Sequence, residues 1–329
     1  MYKKVKEIID PVYMVGGCVR DDLLGVTPKD FDFCTPLTPE EIENAIRKAE
    51  RKPYLVGKRF GTIGVKIDGQ LVEITTFRSE KYIQGSRKPQ VTYVKDITAD
   101  LSRRDFTINA IAQRDNKYID PFDGIKDIKN KAIRCVGKPS DRFKEDPLRL
   151  LRLCRFVAQL NFNVDIDTFD KAKQLSYKIL EVSKERWVLE LDKLLVTNKP
   201  SIGLEILASI RLLNYILPEL APQVNYDQNS PYHSQTLWKH TLDVVDFSPP
   251  DVNLRWAALL HDSGKISMRT DNKKGYSNYL YHELSSAENV LKYGKYLKWS
   301  NDRLNTVYDL VLNHMKEDSP LRKADNMSK

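Results

Sequence analysis

The stretch GGCVRDDLLGVTPKDFDF, residues 16–33, joins a glycine pair to two aspartates that stand two positions apart. A strand over residues 29–34 would place Asp30 and Asp32 on one face and Phe31 and Phe33 on the other, because side chains alternate along a strand. Two carboxylates this close repel each other unless a cation lies between them, and hard oxygen ligands suit Mg²⁺. The alternative is an amphipathic edge strand whose two aspartates face solvent.

The residues before the aspartates favour a phosphate-binding role. Gly16 and Gly17 follow an apolar run, Val12–Val15, at a point where a chain leaving a strand can bring bare backbone N–H groups against phosphate. Arg20 adds a fixed positive charge nearby. With the aspartate pair, this combination predicts nucleotidyl transfer, in which Mg²⁺ bridges a bound triphosphate.

Composition sets broad limits on the protein. The chain has 329 residues, of which 41% are hydrophobic and 30% charged, as expected for a soluble protein of two or more domains. It contains no apolar run of membrane-spanning length and no signal peptide, so we expect a cytoplasmic protein without a membrane partner. The four cysteines lack CxxC spacing and are expected to be reduced. The net charge of +8 favours a polyanionic partner, although many basic proteins bind no nucleic acid.

A helix and a hairpin are predicted from local signals in the first third. Residues 40–51 are charged and periodic, and Thr38 with Glu41 three residues later has the spacing of a capping box. Two apolar runs, residues 63–67 and 71–77, flank Asp68-Gly69 and predict a tight hairpin. The second strand carries Glu73, and whether it faces the aspartate pair depends on a strand order that the sequence leaves open.

The organisation of the chain changes from mixed to helical. Residues 79–90 are polar and contain glycine and proline, which predicts a loop. Beyond Pro139 the apolar periodicity becomes helical, with segments from Glu185 to Leu195 and from Ile202 to Leu217. Prolines and a polar tract over residues 225–231 predict a boundary. We therefore predict three domains, at residues 1–138, 139–224 and 225–329.

A second constellation is DLSRRDFTINAIA, residues 100–112. Its adjacent guanidiniums, Arg103 and Arg104, could hold triphosphate oxygens in forked geometry. Asp105 and Asn109 would then bind a ribose hydroxyl or fix the arginines. The alternative is the start of an apolar helix with Asp105 in its first turn and the arginines in solvent.

A third constellation is EDPLRLLRLCRF, residues 145–156, which is expected to open a helix. Asp146 and Arg149 would lie on one helical face, as would Arg149 and Arg152. An acceptor and a planar donor side by side can pair with the edge of a base. An ordinary ion pair within the helix is the competing interpretation.

All five histidines lie in the last third of the chain. The dipeptide His261-Asp262 follows an apolar run, residues 256–260, and so lies in or beside a buried helix. Imidazole together with carboxylate suits a divalent transition metal, although any single histidine could be purely structural. The histidines are His233, His240, His261, His282 and His314.

Taken in order, the motifs GGCVRD, DFDF, RRDFTINA and EDPLR resemble those of the bacterial-type (class II) tRNA nucleotidyltransferases, the family that includes CCA-adding enzymes and bacterial poly(A) polymerases. The last third, from WKHTLDVVD through LLHDSGK and YHE to NHM, resembles an HD-type metal-dependent phosphohydrolase domain. The resemblance implies an α+β fold, with a small mixed-sheet catalytic head followed by an all-α neck and body and an all-α HD domain.

The resemblance also implies roles for individual residues. Asp30 and Asp32 would hold catalytic Mg²⁺ ions, and Glu73 occupies a familiar acidic position in the family. The loop at residues 79–90 resembles the segment involved in switching nucleotide specificity. The implied nucleotide-binding residues are Gly16, Gly17, Arg20, Arg103, Arg104, Asp105, Asn109, Asp146, Arg149 and Arg152. The implied HD-type ligands are His240, His261, Asp262, His282, His314 and Asp325.

The implied activity is template-independent addition of CMP and AMP, from CTP and ATP, to the 3′ end of tRNA by two-metal chemistry. A poly(A) polymerase, or an enzyme adding only CC or only A, would share the same head motifs. The HD-type domain implies Mn²⁺, Co²⁺ or Ni²⁺ and phosphodiesterase or phosphatase activity, or else a scaffold for tRNA. The sequence does not decide between these products, and it does not fix the oligomeric state.

Overall fold

The computed structural model describes residues 1–28, 30–81, 90–230 and 235–328, and the chain divides into two compact units. The first comprises Met1–Asp146 with Asn163–Thr168, and the second comprises Pro147–Phe162 with Phe169–Lys329. Among the described residues, mixed α+β structure belongs to the first unit, and the second is almost entirely helical. The predicted α+β fold class is confirmed.

The described residues of the first unit form eleven short strands and six helices. The strands are β1 (Tyr13–Val15), β2 (Asp32–Thr35), β3 (Pro53–Tyr54), β4 (Thr62–Ile67), β5 (Gln70–Thr76), β6 (Arg78–Lys81), β7 (Gln90–Tyr93), β8 (Ala112–Arg114), β9 (Lys117–Ile119), β10 (Ala132–Ile133) and β11 (Asn163–Val164). The helices are α1 (Tyr2–Lys6), α2 (Gly17–Leu23), α3 (Pro39–Lys48), α4 (Ile97–Ser102), α5 (Gly124–Lys129) and α6 (Pro139–Glu145).

Seven of these strands form one mixed sheet in the order β3-β4-β5-β2-β1-β8-β9, in which β2 and β5 run parallel and the other neighbours run antiparallel. The alternation of side chains divides the core between its two faces. Phe33 joins one buried cluster, against which Phe31 also packs, whereas Cys34 joins the cluster on the other face. The predicted separation of Phe33 from Asp32 is therefore confirmed, since Asp32 shares its face with Cys34.

The local predictions for the first third hold with small shifts. Helix α3 ends at Lys48 rather than Arg51, and both bonds of the Thr38/Glu41 capping box are present. The β4–β5 hairpin turns at Asp68 and Gly69, whose φ angles of 52° and 80° are those of a left-handed two-residue turn. The twist of such a turn matches that of the two strands it joins.

Two strand predictions need correction. The strand that carries the aspartate pair begins at Asp32, so Asp30 lies in the bend before it, and Lys29 is outside the described residues. The segment predicted as a loop over residues 79–90 is instead partly β-structure, because β6 pairs antiparallel with β7. Residues 82–89, which contain most of that predicted loop, are outside the described residues.

Over its described residues the second unit contains ten helices and one short hairpin. They are α7 (Arg149–Leu160), α8 (Ile166–Gln174, which begins in the first unit), α9 (Lys184–Leu195), α10 (Pro200–Ser209), α11 (Leu213–Ile216), α12 (Leu237–Phe247), α13 (Val252–Leu260), α14 (His282–Tyr296), α15 (Asn301–Leu312) and α16 (Pro320–Met327), with β12 (Thr270–Asp271) and β13 (Ser277–Asn278). The segment predicted to be helical from Ile202 to Leu217 is broken at Arg211, whose φ is 66°. None of the helices in the described ranges is long and apolar enough to cross a membrane.

Candidate active site

Three acidic residues meet at the parallel pair of strands in the first unit. The register places Asp32 directly opposite Glu73, and side chains paired in this way project from the same face of a sheet. Asp30 precedes Asp32 by two residues, and all three residues are exposed. The strand order that the sequence leaves open therefore brings Glu73 beside the aspartates. Hard carboxylate oxygens on one exposed face fit a divalent cation such as Mg²⁺.

The charges around Asp32 oppose one another. Loss of water around its carboxyl raises the pKa of Asp32, the positive charge of Arg104 lowers it, and the charge of Asp30 raises it, with a net rise. A carboxylate in this situation is stabilised by additional positive charge at the site. The acidic face thus has a local excess of negative charge that a bound cation would relieve.

The glycine pair allows an arginine to approach the backbone. Gly16 has a φ of 75°, and a Cβ atom built on it would lie 2.9 Å from Nη1 of Arg104. A side chain at this position would therefore be strained and would also displace the guanidinium. Strand β1 ends at Val15 and α2 begins at Gly17, so the predicted exit of the chain from a strand at the glycine pair is confirmed.

Arg20 is held in a buried network rather than in solvent. Its guanidinium donates to Asp21 Oδ1 at 2.7 Å and to Asn109 Oδ1 at 2.7 Å. Asn109 in turn donates to Asp105 Oδ1 at 3.1 Å. Asp105 and Asn109 are predicted to bind a ribose hydroxyl or to fix Arg103 and Arg104, whereas the guanidinium that the Asn109 side chain holds is that of Arg20. The contribution of Asp21 is absent from the sequence prediction.

The segment around Arg103 and Arg104 differs from the predicted start of a helix. Helix α4 precedes the arginines and ends at Ser102, and a single 3₁₀ turn, Thr107–Asn109, lies between the arginines and β8. The prediction of a helical run after the arginines is therefore wrong, because the apolar residues Ile108 to Ala112 are buried in a turn and a strand instead. Cations at the end of α4 also interact favourably with the helix dipole.

A buried aspartate that sequence reasoning missed holds both arginines. Asp100 Oδ1 accepts from Arg103 Nη2 at 2.9 Å, and Asp100 Oδ2 accepts from Arg104 Nη2 at 3.3 Å. The arginines follow it by three and four residues, a spacing that places them beside it at the end of a helix. That spacing could have identified the contact if the helix had been placed before the arginines rather than after them.

The residues predicted to recognise a base stand where the chain passes from the first unit to the second. Asp146 ends the first unit in extended conformation, so the prediction that it shares a helix face with Arg149 is wrong. Helix α7 begins at Arg149, and Arg152 follows one turn later. Within the second unit, Arg152 Nη1 lies 3.8 Å from Glu190 and its guanidinium stacks near the ring of Phe156.

A second site in the second unit gathers the six predicted HD-type ligands. Its centre is the buried carboxylate of Asp262. Oδ2 lies 3.3 Å from Nε2 of His240 and 3.1 Å from Nε2 of His261. Oδ1 lies 3.1 Å from Nε2 of His282 and 3.9 Å from Nε2 of His314. His233 is outside the described residues.

The sixth residue, Asp325, comes from α16. Its Oδ1 lies 3.2 Å from Nε2 of His240. In the part of the chain that the structure describes, two groups have ligand atoms mutually within 4.8 Å, and both contain Asp262. They are His240 with His261 and Asp262, and Asp262 with His282 and His314.

The other ring nitrogen of each histidine is occupied. Nδ1 of His261, His282 and His314 each lies 2.7–2.8 Å from the backbone carbonyl three residues earlier. Nδ1 of His240 lies 2.8 Å from the hydroxyl of Ser328. A carbonyl that accepts from Nδ1–H fixes the tautomer whose Nε2 carries a lone pair, which is the arrangement found behind histidine ligands of metals.

The electrostatics of the cluster also suit a cation. Burial raises the pKa of Asp262, but the charges of His261 and Lys265 lower it by more than burial raises it. The pKa of Asp262 therefore lies well below its usual range. Burial and the neighbouring His261 lower the pKa of His314 to about 3, which keeps its imidazole neutral at physiological pH. The neutral imidazole of His314 and the ionised carboxylate of Asp262 are both donors that suit a divalent transition metal.

A cavity of about 580 Å³ opens beside the cluster within the second unit. The cluster contributes Asp262, His282, His314 and Asp325 to its wall, and the β12–β13 hairpin contributes Tyr276 and Asn278. Cationic side chains also line the cavity, which would favour an anionic ligand. They are Lys265, Lys274 and Arg322.

Two regions of the chain match family models. Residues 12–134 match the model described as the Poly A polymerase head domain. Residues 161–224 match the model described as the probable RNA and SrmB-binding site of polymerase A. Two regions of the chain are thus similar to the head domain and to the probable RNA- and SrmB-binding site of poly A polymerases.

Two curated relatives that the chain resembles are CCA-adding enzymes. Over 215 residues the chain is 42% identical to the CCA-adding enzyme of Ligilactobacillus salivarius, and the aligned region covers 65% of this chain and 52% of that protein. It is 43% identical over 216 residues to the CCA-adding enzyme of Staphylococcus epidermidis, covering 65% of this chain and 53% of that protein. The chain therefore spans about half the length of the curated relatives it matches.

The fold extends the likeness over nearly the whole chain. The structure is similar to the Bacillus stearothermophilus CCA-adding enzyme in complex with CTP, with a TM-score of 0.67 and 28% identity. The match covers 98% of this chain and 78% of that one. Both units therefore have counterparts in that enzyme.

Proposed function

We propose that the protein adds CMP and AMP to the 3′ end of tRNA without a template, completing or repairing the CCA sequence. One observation carries the proposal: Asp32 pairs in register with Glu73, next to Asp30, on a face to which Arg104 adds positive charge. This arrangement lies inside the region that matches the poly A polymerase head domain. The relatives named CCA-adding enzymes support the choice of product.

In this proposal the first unit binds the nucleoside triphosphate and aligns it for attack. Asp30 and Asp32 would hold Mg²⁺, which when bound supplies charge neutralisation for the leaving pyrophosphate and activates the attacking hydroxyl. Arg103 and Arg104 bind the triphosphate, and the absence of a side chain on Gly16 leaves room for the guanidinium of Arg104 beside the backbone. The 3′-hydroxyl of the RNA attacks the α-phosphorus in line with the departing pyrophosphate.

Selection of the nucleotide is assigned to the predicted neck and body, residues 139–224, which follows the predicted head, residues 1–138. Asp146 and Arg149 would bond to the base of the incoming nucleotide, with Arg152 one helical turn further on. Lysine and arginine side chains of the helical part would bind the acceptor stem by its backbone shape, since A-form RNA exposes little sequence to a protein. Affinity for tRNA is therefore expected to fall as salt rises.

The direct test uses a tRNA that ends at the discriminator base. With CTP alone we expect two added nucleotides, and with CTP and ATP together we expect three, when products are resolved at single-nucleotide length. Long A tracts with ATP alone would instead identify a poly(A) polymerase. Extension that stops after CC in the presence of both nucleotides, or that occurs only on a tRNA already ending in CC, would identify a CC-only or an A-only enzyme.

A second candidate function is metal-dependent hydrolysis of phosphate esters by the predicted HD-type domain, residues 225–329. The contacts of the Asp262 carboxylate favour this hydrolytic function. One carboxylate oxygen faces His240 and His261, and the other faces His282 and His314. This geometry fits a carboxylate that bridges two divalent ions. A bound Mn²⁺, Co²⁺ or Ni²⁺ would supply an activated water for hydrolysis, and Lys265, Lys274 and Arg322 would hold the anionic substrate.

The hydrolytic function is tested with 2′,3′-cyclic nucleotides. Purified protein is incubated with each metal in turn, and the ring-opened product is separated chromatographically. We expect turnover with at least one of Mn²⁺, Co²⁺ and Ni²⁺ and none after chelation. Absence of turnover with every metal would favour a domain that serves only as a scaffold for tRNA.

A further inference from the structure

The strongest observation that the proposed chemistry does not use is the buried carboxylate of Asp100. This residue lies in α4 and has no exposed surface. Its Oδ1 accepts two bonds from Arg103, from Nε at 3.0 Å and from Nη2 at 2.9 Å. Its Oδ2 accepts from Nη2 of Arg104 at 3.3 Å. One carboxylate thus holds two adjacent guanidiniums, with one oxygen for each.

The carboxylate is itself held in place from another element. The backbone N–H of Arg78, the first residue of β6, donates to Oδ1 of Asp100 at 3.2 Å. A backbone donor in a paired strand is rigid, so the plane of the carboxylate is fixed as well as its position. Two elements of the first unit, α4 and β6, therefore fix the orientation of the arginines.

The electrostatics of the trio favour the ionised form of the carboxylate. Burial raises the pKa of Asp100, but the charges of Arg104 and Arg103 outweigh burial and lower the pKa overall. The side chains of the two arginines are 17% and 18% exposed, so most of each guanidinium is removed from water. Without Asp100 two neighbouring cations would repel each other in a poorly solvated place, and turning toward solvent would relieve them.

Arg104 connects this trio to the acidic face. Nη1 of Arg104 lies 2.9 Å from the position that a Cβ on Gly16 would take, and the charge of Arg104 acts on the carboxyl of Asp32. A change in the orientation of Arg104 therefore alters the position of a positive charge next to the carboxylates that would hold the metal.

We infer that Asp100 is a positioning residue for the triphosphate, one that acts through Arg103 and Arg104 without touching the nucleotide. The inference rests on the proposed function, because it assumes that these arginines bind the triphosphate. Asp100 also halves the net charge of the trio from two to one, which would weaken attraction of the triphosphate at long range. Orientation outweighs this loss because long-range attraction is screened by salt within about 10 Å, whereas charge-assisted bonds depend on position.

The test measures CTP binding by calorimetry, with Ca²⁺ in place of Mg²⁺ so that no turnover occurs. Asp100→Asn keeps the shape of the side chain and removes its charge. We expect the dissociation constant for CTP to rise about tenfold or more, the size of effect expected when a charge-assisted contact is lost. The dissociation constant for tRNA is expected to stay within about twofold of the wild-type value, a difference that general loss of structure would not produce.

The matched control is Asp127→Asn in the same unit. Asp127 is also buried, and it accepts from Arg134 Nε at 3.0 Å and from Thr107 at 2.6 Å, away from Arg103 and Arg104. We expect this variant to lose stability while keeping CTP affinity.

If Asp100→Asn does not fold, Asp100→Glu retains the charge, and it should bind CTP more weakly than wild type but still measurably.

A double-variant cycle separates positioning from general destabilisation. In a protein that already carries Arg103→Ala and Arg104→Ala, Asp100→Asn should weaken CTP binding no further. A further loss in that background, or CTP affinity equal to or tighter than wild type in Asp100→Asn alone, would overturn the inference. Wild-type protein that binds CTP with the expected dependence on Asp100 but adds no nucleotide to tRNA would contradict the proposed function and leave the positioning role supported.

Discussion

Asp32→Ala is expected to reduce nucleotide addition to tRNA by about a thousandfold or more, because the site loses one of the two carboxylates assigned to hold the metal. Asp32 is exposed, and its removal takes no side chain out of the buried clusters. Thermal unfolding should therefore change little. The measurement is the initial rate of extension of tRNA lacking CCA, with CTP and ATP, compared at equal concentrations of folded protein.

Asp22→Ala is the matched control for this prediction. Asp22 is an exposed aspartate of the same unit, in α2, and lies ten residues before Asp32. Its loss is expected to change the rate by less than about twofold, as is usual for surface substitutions. Extension by Asp32→Ala at a rate close to that of the control would contradict the assignment of the acidic face.

Asp262→Asn is expected to abolish metal binding by the second unit. The carboxylate belongs to both groups of candidate ligands, so its replacement by an amide removes a charged ligand from each. Wild-type protein loaded with Mn²⁺ and then desalted should retain about two ions in the second unit, and the variant fewer than one. Elemental analysis of the desalted protein gives the number directly.

The stability of the loaded protein provides an independent measurement. Because a ligand that binds only the folded state stabilises it, added Mn²⁺ should raise the unfolding temperature of wild type but not of Asp262→Asn. Asp302→Asn, at an exposed position in the first turn of α15, should behave as wild type. Retention of two ions by Asp262→Asn would contradict a bridging carboxylate.

Most of the correct predictions about the fold come from short-range sequence signals. The capping box of α3 and the turn at Asp68-Gly69 each depend on residues within a few positions, so the sequence is sufficient to place them. The start of the strand at Asp32 is harder to predict, because side-chain alternation fixes a face but not an end. The position of Glu73 beside Asp32 depends on the parallel pairing of distant strands, which no local pattern encodes.

The errors around the arginines have one physical cause. The apolar spacing in TINAIA fits a helix, a 3₁₀ turn or a buried strand equally well, and burial against the sheet decides among them. Placing the helix after Arg104 instead of before Arg103 hides the contact with Asp100. Asp146 illustrates the same limit, since it follows α6 in extended conformation rather than opening α7.

The histidine cluster is predictable in composition but not in geometry. The confinement of all five histidines to the last third, with an adjacent aspartate, suggests a metal site from sequence alone. That each oxygen of Asp262 faces a different pair of histidines depends on how α12, α13, α14 and α15 pack. The same packing brings Asp325 from α16 to within 3.2 Å of His240.

The central claim is that Asp30 and Asp32 hold divalent metal under a triphosphate bound by Arg103 and Arg104. A crystal structure of the protein with MgCl₂ and a non-hydrolysable CTP analogue tests it most directly. We predict metal ions about 2.1 Å from carboxylate oxygens of both aspartates, with the triphosphate within hydrogen-bond distance of the arginine pair. A triphosphate bound elsewhere, or metal ions that avoid both aspartates, would contradict the claim.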